Sequence, residues 1–127
     1  MPDAPDRAPD RSDPVYKIAE AAAWAEAERA GSFPGAPVDR RDGFIHLSTA
    51  AQVRATAAKH FAGRNGLVLV AIDGKALSAL GGAYRFEPSR GGDLFPHLYA
   101  PLPMGAVLWV EPLPLGPNGA HRFPRGL

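Results

Sequence analysis

Apolar and polar positions alternate with two different periods along this chain, and the changes of period divide it into elements. "VYKIA", Val15 to Ala19, opens directly after a proline with β-branched and aromatic residues and predicts a strand. "EAAAWAEAERAG" is built on alanine, with Glu20 near its start, Arg29 in the last turn and Gly31 at the stop, and predicts a helix. The turn residues of "SFPGAPVDRRDG", 32–43, predict a long loop, and long loops inside compact domains are often functional. "FIHLS" returns to strand character, and "TAAQVRATAAKHFAG" predicts a helix, with Thr49 and Gln52 at capping-box spacing and Val53, Ala57 and Phe61 along one apolar face.

A turn at Asn65 and Gly66 then leads into "LVLVAID", a continuous apolar run of the kind shown by a strand covered on both faces. "GKALSAL" predicts a short helix, "AYRFE" and "AVLWVEPL" predict strands, and the proline-bounded "LFPHLYAPLP" lies between those two strands. Strands and helices in this order predict an α+β fold. The ends are different in kind. Residues 1–14 hold four Pro and four Asp with no large apolar side chain beyond Met1, so they are expected to form a disordered tail. Residues 116–127, rich in Pro and Gly, are expected to form an irregular arm, which leaves 15–115 as a single domain.

Composition narrows the chemistry. The chain has 127 residues, the length of one ordinary domain, and its 46% hydrophobic content is ample for one core. With a net charge of +1 and basic residues scattered singly or in pairs, nucleic acid is not an expected partner. The chain contains no cysteine, which excludes disulfides, thiolate metal sites and cysteine nucleophiles. No apolar run approaches the roughly 20 residues of a membrane span, and the start lacks the apolar core of a secretory signal, so a cytoplasmic protein with no membrane partner is expected. Nothing in the sequence speaks to the oligomeric state.

Two stretches carry candidate chemistry. In "DGFIHLST", 42–49, His46 shares a strand face with Phe44 and Ser48, and its ring nitrogens require partners, for which Ser48, Thr49 or a backbone carbonyl are candidates. A structural histidine satisfied by backbone remains the alternative. In "RFEPSRGGDLFPHLY", 85–99, Glu87 ends a strand, Arg90 carries a fork of donors suited to carboxylate or phosphate, and Gly91 and Gly92 permit close backbone approach. An ordinary wide turn accounts for the same residues. Pro96 forces Phe95 into extended backbone, so that His97 and Tyr99 alternate with Leu98 and can face one cleft.

His60, at a helix end, reads as a residue favoured by the helix dipole, and His121 lies in the arm. His46 and His97 lack the compact ligand spacing of zinc motifs, so no metal is expected. There is no nucleophile elbow, P-loop or dinucleotide glycine fingerprint.

Taken together, "YKI" at 16–18, Trp24, "DGFIHLST", "LVLVAID" and "RGGDLFPHLY" resemble the bacterial family known as domain of unknown function 952, over residues 15 to about 111. That family is similar in fold to the ADP-ribosyltransferase superfamily, which implies a curved, split pair of antiparallel or mixed sheets with flanking helices that hold NAD in a cleft. The resemblance sets His46, Ser48 and Thr49 at the place of the superfamily's ribose-binding histidine and hydroxyl, with Leu47 where the better-known enzymes have glycine. Glu87 and Tyr99 match its glutamate and tyrosine by residue type, and His97 is a candidate substitute for one of them.

The expected protein therefore takes a small-molecule nucleotide, with NAD as substrate or ligand. His46, Glu87 and His97 are its candidate catalytic residues, and Ser48, Thr49, Arg90 and Tyr99 its ligand contacts. A binding module without catalysis, for a metabolite or a peptide, is the rival. A third reading is a metal-independent hydrolase or phosphotransferase using His46 and His97 as acid and base.

Overall fold

The computed structural model describes residues 10–127, apart from the Arg90 side chain; expectations for residues 1–9 lie outside the described residues. The elements follow as β1 (Val15–Glu20), α1 (Ala21–Ala30), β2 (Ser32–Phe33), α2 (Pro37–Asp42), β3 (Ile45–His46), β4 (Ser48–Thr49), α3 (Val53–His60), β5 (Leu67–Ile72), α4 (Gly74–Ser78), β6 (Tyr84–Pro88), β7 (Leu94–Leu98), β8 (Leu102–Pro103) and β9 (Val107–Pro112). The architecture is α+β. Its sheets run β4-β1-β5-β9, β3-β7-β6 and β2-β8, and every ladder among the described residues is antiparallel.

The apolar run of β5 has a direct structural cause. It lies between β1 and β9, so residues on both its faces are covered. Leu67, Leu69 and Ala71 enter one core with Tyr16, Ile18, Val53, Ala57 and Leu113. Val70 and Ile72 enter the other, with Val15, Ala19, Trp24, Phe33, Ile45, Leu77, Tyr84 and Leu98. The four-stranded sheet thus separates two cores, one closed by α3 and the other by α1, α4 and the three-stranded sheet. The predicted face of α3 is the one that packs, with Val53 and Ala57 buried and Phe61 against the same core.

Two sequence expectations are corrected here. The segment 32–43 is not a plain loop: it pairs as β2 and then turns into α2. Pro37 occupies the first turn of α2, where its missing N–H costs nothing, and Asp39 accepts a hydrogen bond from the Ala36 N–H (2.8 Å) in the reciprocal half of a capping box. Gly35, at φ 109, lies against Asp39, and a Cβ there would come within 2.9 Å of the Asp39 Cβ. "FIHLS" is likewise not one strand. Its first half pairs with β7 and its second with β1, so the chain changes sheets at Leu47, whose N–H donates to Pro96 O (3.0 Å).

The ends pack as well. Residues 10–14, which composition places in the tail, dock on the domain: Arg11 Nη1 donates to Tyr84 O (2.8 Å), its guanidinium lies 4.9 Å from the centre of the Tyr84 ring, and Ser78 Oγ donates to Arg11 O (3.3 Å). The C-terminal arm lies over α3, with Phe123 and Leu127 against the second core and Arg54 stacked 4.7 Å from the Phe123 ring centre. Among the described residues, no helix is long and apolar enough to cross a membrane.

Candidate functional site

The three-stranded sheet carries the polar cluster because its strands alternate. Ile45, Tyr84 and Leu98 point into the first core, which directs His46, Arg85, Glu87, His97 and Tyr99 to the other face. The register sets His46 opposite His97, and His97 opposite Arg85, across three strands. The centres of the two imidazoles lie 5.8 Å apart in an edge-on arrangement. Phe44 ties the group together, its ring centre 4.6 Å from that of His46, 4.1 Å from that of His97 and 5.1 Å from that of Tyr99.

Each histidine is backed by carboxylate. His97 Nδ1 lies 2.7 Å from Glu87 Oε1, and the Tyr99 hydroxyl donates to the same oxygen at 2.7 Å. These hydrogen bonds, His97 first and Tyr99 second, hold the Glu87 carboxyl below its ordinary value, and the Tyr99 hydroxyl is pushed above 10.0 by the same bond. An ionised carboxylate can only accept, so His97 Nδ1 carries the proton of this bond, and in a neutral ring Nε2 is then the acceptor. No hydrogen-bond partner meets that Nε2 among the described residues.

His46 is held differently. Its Nδ1 lies 2.6 Å from Asp39 Oδ1 and its Nε2 3.0 Å from Asp42 Oδ2, so both ring nitrogens face carboxylates from α2. Asp39 is 1% exposed and also accepts from the His46 N–H (3.1 Å) and from Lys17 Nζ (2.9 and 3.1 Å), while Lys17 donates to His46 O (3.0 Å). Burial raises the Asp39 carboxyl, but the His46 hydrogen bond, the Lys17 ammonium and the Ala36 N–H outweigh it and bring it from 3.8 down to about 2. Burial likewise lowers Lys17, against the Asp39 carboxylate that raises it. The partners of His46 are therefore not Ser48, Thr49 or a backbone carbonyl.

Ser48 and Thr49 serve the start of α3 instead. Ser48 is buried and its Oγ bonds Thr56 Oγ1 (2.9 Å), and the Thr49 N–H donates to Gln52 Oε1 (3.0 Å), the glutamine half of the expected capping box. Gln52 Nε2 in turn donates to Leu94 O (2.8 Å), which fastens α3 to β7. The Arg90 side chain lies outside the described residues; its backbone starts a helical turn that is broken at Gly91, φ 78. His121 Nε2 bonds Arg64 O (2.9 Å), far along the chain from this cluster.

Sequence reasoning brought together His46, Glu87, His97 and Tyr99 and missed Asp39, Asp42, Lys17 and Arg85. One signal was available: Lys17 stands alone among apolar residues in "VYKIA", and a lysine on a covered strand requires a buried anion. Among the described residues, no group of three or more His, Cys, Asp or Glu is arranged to hold a metal ion.

Fold and site together define a small α+β domain whose short antiparallel sheet presents two carboxylate-backed imidazoles around one phenylalanine. The chain belongs to the family described as protein of unknown function (DUF952), whose model matches residues 18–110. It is similar to protein CC0527 from Caulobacter crescentus: the crystal structure of that protein aligns with a TM-score of 0.80 at 43% identity, covering 86% of this chain and 93% of that one. The solution NMR structure of CC0527 aligns with a TM-score of 0.74 at 44% identity, covering 84% and 90%. No curated protein matches the chain.

Proposed function

We propose that the cluster around Phe44 binds a nucleotide of the NAD type and acts at its nicotinamide–ribose bond. The observation that carries this reading is the Glu87 carboxylate. His97 and Tyr99 both bond Oε1, whereas Oε2 has Arg85 Nη1 at 3.9 Å as its one ion-pair neighbour among the described residues. Oε2 is thus placed to accept from a ribose hydroxyl, and the carboxylate remains ionised where an oxocarbenium ion needs a negative charge.

In this reading the ribosyl C1′–N bond breaks and its electron pair goes to the nicotinamide ring. Water attacks C1′ and gives its proton to His97 Nε2, for which no hydrogen-bond partner is found among the described residues. His46 has both nitrogens on carboxylates, so it orients the ligand and closes the cluster rather than moving a proton. This distinguishes the reading from a two-histidine acid–base mechanism. The support is chemical: a ribosyl group needs hydrogen-bond acceptors, an apolar face and a carboxylate, all present around Phe44.

The test is calorimetric binding of NAD and release of nicotinamide on incubation with it. Glu87→Gln is expected to reduce release by about 100-fold or more, the loss of a principal electrostatic contact in a transition state, while retaining most of the binding. Binding without release in the native protein would make it a binding module without catalysis. Neither binding nor release of nicotinamide would overturn the proposal.

A further inference from the structure

The cluster adjoins a cleft of about 330 Å³ lined by Pro34, Asp39, Arg40, Phe44, Tyr99 and Pro101 among others. Phe44 and Tyr99 belong to both the cleft and the histidine cluster, so a molecule lying across Phe44 reaches both. The polar groups at the cleft differ in whether they are already paired. Asp39 is neutralised by Lys17 (2.9 Å), Arg41 lies 3.1 Å from Asp42, and Arg85 is directed to Glu87 and stacked 4.3 Å from the Tyr99 ring centre. Arg40 lines the cleft and its guanidinium has no carboxylate partner among the described residues; its backbone N–H alone is engaged, donating to Ala36 O (3.0 Å).

The larger cavity, about 420 Å³ between α3 and the C-terminal arm, offers no comparable free charge. There Arg54 already donates to Leu127 O (2.7 Å) and His121 bonds Arg64 O (2.9 Å).

From this arrangement we infer that Arg40 and the apolar walls of the smaller cleft form an anion subsite that takes the phosphate end of the ligand, a diphosphate in the case of a dinucleotide. The inference rests on the nucleotide reading and adds a location to it: the ribosyl bond lies at Glu87 and His97, and the phosphates lie past Phe44 at Arg40. A guanidinium is suited to this because its fork of donors matches two phosphate oxygens at once. An unpaired arginine on a half-open wall loses little solvation before the ligand arrives and gains a charge-assisted hydrogen bond when it does. The Asp39 carboxylate does not repel the anion strongly, since Lys17 holds it in a neutral pair below the surface.

The experiment measures Kd by calorimetry for NAD, ADP-ribose and nicotinamide riboside with the native protein, Arg40→Gln and Arg90→Gln. Arg40→Gln is expected to weaken NAD and ADP-ribose by about tenfold, the ordinary loss of one charge-assisted contact, and to leave nicotinamide riboside, which has no phosphate, unchanged. Raising the salt concentration should weaken NAD binding to the native protein more than to Arg40→Gln. An unchanged thermal midpoint for Arg40→Gln, expected because its side chain makes no hydrogen bond or ion pair among the described residues, shows that the fold is intact. Equal affinity of Arg40→Gln and native protein for NAD overturns the subsite, as does a loss confined to Arg90→Gln. If the native protein binds none of the three compounds, the nucleotide reading itself fails.

Discussion

The buried pair between Lys17 and Asp39 should hold both the fold and the orientation of His46, and its removal gives a sharp test. Asp39→Asn preserves the shape of the side chain and leaves the Lys17 ammonium, 6% exposed, without its counter-ion; Lys17→Met leaves a carboxylate that is 1% exposed with hydrogen bonds to His46 and Ala36 but no lysine. Breaking one half of a buried pair costs about 3 to 5 kcal/mol, while removing both charges costs far less. Each single variant is therefore expected to lose about 3 to 5 kcal/mol and roughly 12 to 20 °C in thermal midpoint, taking about 4 °C per kcal/mol for a domain of this size. The double variant should lose at least about 2 kcal/mol less than the sum of the two single losses.

Urea unfolding followed by circular dichroism measures all four proteins under one condition. The same pair sets an acid limb. Because the folded Asp39 value lies near 2, below its ordinary 3.8, its ionisation contributes roughly 2 to 3 kcal/mol that is fully present above about pH 4 and is lost as the pH falls toward 2. Asp39→Asn should flatten the stability curve in that window. Single-variant costs that add within about 0.5 kcal/mol, or an acid limb that is unchanged in Asp39→Asn, would refute the coupling.

Further outcomes follow from other contacts. Glu87→Gln should bring the Tyr99 hydroxyl back down toward 10.0, leaving Tyr16 and Tyr84 raised, which an ultraviolet phenolate titration of these three tyrosines resolves. Gly74→Ala should destabilise by about 1 to 3 kcal/mol, since a Cβ there runs into the carbonyl oxygens of Arg11 and Asp13; a chain starting at Val15 should be less stable than the full chain and indifferent to Gly74→Ala, and equal midpoints for the two lengths would show that residues 10–14 contribute nothing. Val70→Asp should leave no folded protein by circular dichroism, because the side chain is fully buried in a strand covered on both faces and Lys17, its cross-strand neighbour, is already paired with Asp39.

What the sequence determined by itself was local. The β-branched and aromatic residues of "VYKIA", the unbroken apolar run of "LVLVAID" and the alanine-rich "EAAAWAEAERA" each contained enough information for β1, β5 and α1, because neighbours along the chain fix those patterns. The alternation around Leu98 also set His97 and Tyr99 toward one cleft before any partner was known. α2 was hidden because Pro34, Gly35 and Pro37 within four positions have the composition of a loop, whereas the helix depends on Asp39 reaching back to Ala36 and inward to Lys17. The break at Leu47 was hidden because a strand that changes sheets keeps the same alternation as one that does not; β7 and β1, distant in sequence, decide it.

The site divides in the same way. Its residue types were legible in two motifs, but its electrostatics belong to the tertiary structure: the carboxylates that hold His46 come from α2, and only the register of β3, β7 and β6 sets His46, His97 and Arg85 in one row. An imidazole's partners are chosen by whatever the fold brings within about 3 Å, a distance that sequence spacing does not encode unless both groups lie on one helix or one strand.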